Sequence, residues 1–109
     1  MALTAYERCN TIKVEVDFKS NSVLTNVSGN MAFIDIYKSD GTKLVDSTTT
    51  PPASGQYTGT GEYEYYFTTT STDPLGIYRV VWSGYSYVDT AFGYQHINQA
   101  DAISIVSVD

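Results

Sequence analysis

The sequence predicts an all-β domain, a two-sheet sandwich of about seven strands. Apolar and polar residues alternate with a period of two in several short runs, and no segment carries the 3.6-residue period of an amphipathic helix. Turn signals recur at intervals of about ten residues, the spacing expected of short strands folded back on one another. Fourteen threonines and ten valines lean the same way, because β-branched side chains suit a pleated surface. With 109 residues and no internal repeat, the chain is expected to form a single domain over 1–109. A domain of that size buries roughly two thirds of its unfolded-chain surface and needs no disulfide.

The first long strand is read at 11–18, where Ile12, Val14, Val16 and Phe18 alternate with Lys13, Glu15 and Asp17. In "MAFIDIYK", Ala32, Ile34 and Ile36 are expected to face inward, which turns Phe33, Asp35 and Tyr37 outward. Asp40-Gly41 then marks a tight turn, with Gly41 supplying the positive φ, and "TKLVD" makes a short return strand. Residues 47–60 read as a loop, since Pro51 and Pro52 cannot donate to a ladder and the glycines are turn residues. In "EYEYYF", Tyr63, Tyr65 and Phe67 share one face, and Glu62, Glu64 and Tyr66 the other. "IYRVVW" puts Tyr78, Val80 and Trp82 on one face. Those two aromatic faces are expected to meet in the core, where large rings bury the most area. A glycine- and tyrosine-rich connection is expected from 83 to about 101, followed by a last strand in "AISIVSV".

The formal charge of −6 argues against nucleic acid and anionic membrane surfaces as partners. No apolar run approaches the roughly 20 residues that span a bilayer. The opening "MALTAYERCN" lacks the basic flank and apolar block of a secretion signal, so synthesis in the cytoplasm is expected and the sequon Asn26-Val27-Ser28 is read as chance. Cys9 is the sole cysteine, which excludes a disulfide within the chain.

Catalytic chemistry finds little to stand on. His96 is the only histidine, placed in the polar connection with no orienting acid nearby, and reads as a surface-loop residue. Cys9 reads as a small, half-buried residue ahead of the first long strand rather than a reactive thiol. One cysteine and one histidine cannot furnish a structural zinc site. Asp35, Glu62 and Glu64 read as outward solubilising charges. Asp73, Asp89 and Asp101 occupy turns without the dense spacing of a calcium loop, and the glycines form no phosphate cradle. The sequence therefore predicts no enzyme, no metal and no cofactor.

Binding is what remains. Phe33, Tyr37 and Tyr66 look outward, and Tyr85, Tyr87, Phe92 and Tyr94 stud the connection after Trp82. At an interface such rings give rigid contact area with a polar tip; the alternative is that some cover sheet ends or pair across strands.

The turn at 73–76 followed by Tyr78 at the first inward position of a strand resembles the tyrosine corner of immunoglobulin-like sandwiches, with Val80 where antibody domains carry a cysteine. Tyr6 and Asn10 leading into "IKVEVDF", then "IDIYKSDGTKL", "TGEYEYYF", "LGIYRVVWSG" and a final "AISIV" together resemble the small immunoglobulin-like structural proteins of tailed bacteriophages. Cys9 departs from that pattern, because family members often carry a glycine there, and "HINQADA" departs from their acidic, glycine-containing lead into the last strand. The resemblance implies an immunoglobulin-like fold and a virion component, such as a capsid decoration or head–tail accessory protein. Its partners would be other virion proteins, major capsid or neck proteins, and it would form a homo-oligomer or lattice. A carbohydrate-binding sandwich module, using tyrosines as stacking platforms beside polar side chains in one groove, is the alternative.

Overall fold

The structure, a computed structural model, describes residues 4–20, 22–49, 52–89 and 93–107, of which 20, 86–89 and 93–95 are described by their backbone. Its strands are β1 (Ala5–Glu7), β2 (Thr11–Asp17), β3 (Lys19–Ser20), β4 (Val23–Leu24), β5 (Phe33–Tyr37), β6 (Lys43–Val45), β7 (Gln56–Gly59), β8 (Glu62–Thr68), β9 (Gly76–Asp89) and β10 (Gly93–Val106). A five-stranded sheet runs β1-β10-β9-β5-β6 and a three-stranded sheet runs β2-β8-β7, with β3 and β4 forming a minor hairpin. Among the described residues the only helical segment is a single 3-10 turn, Ser28–Asn30. The chain is therefore all-β with two principal sheets.

The core sits where alternation places it. Ile12, Val14 and Val16 of β2 pair with Phe67, Tyr65 and Tyr63 of β8, and all but Tyr65, which packs at the margin, are buried. Opposite them lie Ile34 and Ile36 of β5, Tyr78, Val80 and Trp82 of β9, and Ile103 and Ile105 of β10. Buried phenols need partners, and each finds them. The Tyr63 hydroxyl accepts from the Val27 N–H (3.1 Å) and donates to Asn30 Oδ1 (3.1 Å). The Tyr78 hydroxyl donates to the Pro74 carbonyl (2.6 Å). The β5–β6 turn forms as its residues dictate: Gly41 takes φ 91°, and Asp40 Oδ1 accepts from the Thr42 N–H (3.0 Å) and hydroxyl (2.7 Å).

Three expectations need correcting. Residues 47–60 are not all loop: Ser54 bridges Phe33 and 56–59 form β7 against β8. That strand is missed because it is an exposed sheet edge, so no buried face imprints alternation on it. Cys9 is exposed rather than half-buried. Asp35 is no loose solubilising charge: its carboxylate accepts from the Ser47 N–H (2.8 Å) and hydroxyl (2.8 Å) and pairs with Lys43 (3.2 Å), pinning the chain that leaves β6.

The largest correction concerns 83–101. In place of a connection, β9 and β10 form an antiparallel ladder from Gly76 opposite Ile105 to Asp89 opposite Gly93, with one register shift between Gly93 and Tyr94. Each strand has 14 residues, twice the length of β2 or β8. The pairing of β5 with β9 ends at Phe33 opposite Ser83, and β1 covers β10 only at 104–106. Among the described residues the outer half of the hairpin is thus a ribbon with no third strand. Without a sheet to face on either side, its residues carry no hydrophobic alternation, which is why they read as a connection. The ribbon also explains the elongation: the radius of gyration is 15.0 Å, against about 13 Å for a compact chain of this length.

The two sides of the sandwich differ. On one, the chain crosses from the five-stranded to the three-stranded sheet at Gly55, between Ser54 and β7. A Cβ there would lie 2.4 Å from Trp82 Cζ3, so only glycine lets the chain pass over the indole. On the other side, β2 ends its sheet; residues 8–10 cross there from β1, beside the end of β10, to the start of β2, and the gap stays open farther along, between Asp17 and Gln99.

Candidate functional site: the outer face of the five-stranded sheet

Because β5, β9 and β10 bury alternate residues, the intervening ones share the outer face of their sheet. Ladder register brings Phe33 opposite Ser83, Tyr37 opposite Arg79, and Tyr85 opposite His96. Three of the predicted candidates, Phe33, Tyr37 and Tyr85, therefore belong to one surface that begins over the sandwich and continues onto the ribbon.

They are not equally available. Tyr37 is half-buried and flanked by cations, with the Arg79 guanidinium 4.5 Å and the Lys43 ammonium 5.5 Å from its ring centre. Such cation–π contacts hold a ring in place, so Tyr37 is committed to its own sheet. Phe33 is also half-buried. Tyr85 is 47% exposed and its ring centroid lies 4.9 Å from that of His96 at an interplanar angle of 47°. His96 is accordingly an exposed strand residue packed at a tilt against a tyrosine, so its place on the surface stands and its place in a loop is corrected. Further along the ribbon, Tyr94 stands opposite Tyr87; their side chains, and Phe92 altogether, lie outside the described residues.

Tyr66 does not join this surface. It is exposed on β8, opposite Lys13 of β2 in the other sheet, and so faces away from Phe33 and Tyr85. Ile77, at 59% exposure the most open apolar side chain among those described on β9, is missed by the sequence reading. Its position between Gly76 and Tyr78 on an alternating strand already carried the signal.

Asp73 and Asp101 have partners within the fold. Asp73 is buried beside the Tyr78 hydroxyl. Its carboxylate accepts from the Thr70 N–H (2.8 Å) and pairs with Lys38 (2.9 Å), while its backbone carbonyl accepts from the Arg8 guanidinium (3.0 Å). The Thr70 N–H first, and Lys38 after it, hold this carboxyl below the ordinary range. Asp101 turns its carboxylate onto the N–H of Ala102 (2.8 Å). Among the described residues no three His, Cys, Asp or Glu side chains converge as metal ligands, and no helix is long and apolar enough to cross a membrane.

Fold and surface together define an all-β, two-sheet domain that displays aromatic side chains on one sheet face and its projecting ribbon. Comparison with known protein families, characterised proteins and solved structures finds no match to this chain.

Proposed function

We propose that this protein is a non-enzymatic structural component of a virion, a capsid decoration or head–tail accessory protein that binds its neighbours through the outer face of the five-stranded sheet and the β9–β10 ribbon. The observation that carries the reading is the gathering of Phe33 and Tyr85 on one face that extends beyond the sandwich. A two-stranded ribbon alone in water is marginally stable, and exposed rings on it suit a surface that is covered in an assembly.

The immunoglobulin-like part of the reading has its own support. With β9 and β10 as the last two strands, β5 and β6 beside them, and β2, β8 and β7 opposite, the strand order follows that of a variable-type sandwich. The Tyr78 hydroxyl bond to a carbonyl four residues upstream is the corner's signature contact. Cys9 adopts φ 72°, the left-handed conformation glycine takes most easily, at the place where the resembled phage proteins often have glycine.

The test is replacement of Phe33 and Tyr85 by alanine, followed by co-sedimentation with assembled particles and sizing of the free protein. Each interface-centre ring is worth about 2 kcal/mol on truncation, so the double variant should lose association by more than a hundredfold, while Tyr66→Ala should bind as the parent does. Raising salt should change the affinity little, since the contacts are not ion pairs. Unchanged binding by the double variant, or loss in Tyr66→Ala alone, refutes the assignment of the surface.

A further inference from the structure

Strand β2 has one open edge. It pairs with β8 over its whole length, from Thr11 opposite Thr68 to Asp17 opposite Glu62, without a shift of register. Among the described residues no strand pairs with its other side, so the backbone N–H and C=O groups of alternate residues there can take a further strand. Other edges are poorer templates. Strand β7 has four residues and β6 three, each with a register shift in its pairing, and such irregularities turn an edge away from new partners. On β10 the Asp101 carboxylate already takes the Ala102 N–H.

The charges along β2 decide what fits beside it. Ile12, Val14 and Val16 are buried, so Thr11, Lys13, Glu15 and Asp17 share the outer face. Lys13 and Glu15 pair within the strand (3.3 Å), their side chains 45% and 63% exposed. Glu15 also stands opposite Glu64 of β8, a like-charge pair that is unfavourable across a ladder. Charges on an edge strand ordinarily keep other strands away, but here they reject some pairings and favour one. The open N–H and C=O groups recur at every second residue, so two copies of β2 can pair antiparallel only about a two-fold axis that falls on a residue. An axis on Lys13, Glu15 or Val16 sets like charges against each other. An axis on Val14 sets Lys13 against Glu15 twice, and Thr11 against Asp17 twice.

We propose that a second copy of this chain pairs with β2 edge to edge, antiparallel about a two-fold axis through Val14, joining two three-stranded sheets into one continuous sheet. Directly opposed side chains then lie about 4.5–5.5 Å apart at Cβ, within reach for Lys13 of each copy to meet Glu15 of the other. Each Glu15–Glu64 pair gains a cation beside it. The Thr11 hydroxyl, which lies 3.2 Å from Thr68 Oγ1, faces the opposing Asp17 carboxylate and can donate to it. A two-fold contact uses the same patch on both copies and closes on itself, so assembly through this edge stops at the dimer. The inference does not rest on the aromatic surface, because Phe33 and Tyr85 belong to the five-stranded sheet.

Sedimentation of the full chain up to about 1 mM tests this, at about 0.15 M salt, where charges more than about 8 Å apart are largely screened and adjacent pairs decide. A monomer–dimer equilibrium should appear within that range, weak because one strand edge buries little area. Lys13→Glu and Glu15→Lys, both at exposed positions, each set like charges against each other twice and should weaken the dimer by at least about tenfold. An equimolar mixture of the two variants, and the chain carrying both changes, restore opposite charges at this register and should recover the parental affinity. Hydrogen exchange should slow with concentration at alternate β2 amides, those directed away from β8. The proposal is overturned if the chain stays monomeric throughout, if either charge reversal leaves the dimer as strong, or if the chain with both changes fails to recover. It is equally overturned if Phe33→Ala with Tyr85→Ala abolishes the dimer while the β2 amides exchange alike at all concentrations.

Discussion

Replacing Trp82 with alanine should lower the unfolding free energy by about 3–5 kcal/mol. The side chain is 1% exposed, lies between Ile34 and Gln99 in the ladder, and fills the space under Gly55. Gly55 cannot fill the vacated volume, because it carries no side chain and is tied through its N–H to the Ala32 carbonyl (2.7 Å). Against a typical domain stability of about 5–15 kcal/mol, the variant should be marginal at room temperature. Equilibrium urea unfolding followed by far-ultraviolet circular dichroism measures the difference. A loss below about 1 kcal/mol, the cost of a tolerated core swap, would mean that the indole does not hold the two sheets together.

The second large effect is expected at Asp73. Asp73→Ala should destabilise the domain by about 2–3 kcal/mol, since it leaves the Thr70 N–H and the Lys38 ammonium without their acceptor. The carboxylate joins the turn before β9 to Lys38 after β5, so one substitution loosens these two chain segments; the Arg8 guanidinium bonds the backbone carbonyl of residue 73 and keeps its acceptor. Its pH dependence follows from the depressed carboxyl pKa. A group that is more acidic folded than unfolded adds stability above its unfolded value, near 3.9, and loses it as pH falls through the folded value. The stability gap between the parent and Asp73→Asn should be full at neutral pH and shrink below about pH 4. A gap that stays constant down to pH 2 would show that the charge on Asp73 does not contribute.

The sandwich was legible wherever a strand had one wet face and one dry face. Ile12, Val14 and Val16 on β2, and Tyr78, Val80 and Trp82 on β9, announce their burial through alternation alone. The same rule turned Phe33 and Tyr37 outward correctly, and placed Tyr66 on the glutamate side of β8. What it could not register is structure with no dry face. Strand β7 and the outer half of the β9–β10 ribbon are held by backbone pairing, which leaves no pattern in side-chain polarity. Tyr85 and His96 thus read as loop residues, although they face each other across a ladder. Nor could local pattern foresee which outward rings share a surface. Phe33 and Tyr85 come together, and Tyr66 is separated from them, only through the order of strands in the two sheets.

The continuity of β9 has a mechanical consequence. The strand that carries Tyr78 and Trp82 in the core is the same strand that carries Tyr85 outward, and between Tyr94 and Ile105 its pairing with β10 has no bulge. A hinge needs a break in pairing or a residue free to swing, and the ladder offers neither along that length. The ribbon is consequently a cantilever rooted in the hydrophobic core. A force on its outer part would be delivered as torque to the Trp82 and Tyr78 layer.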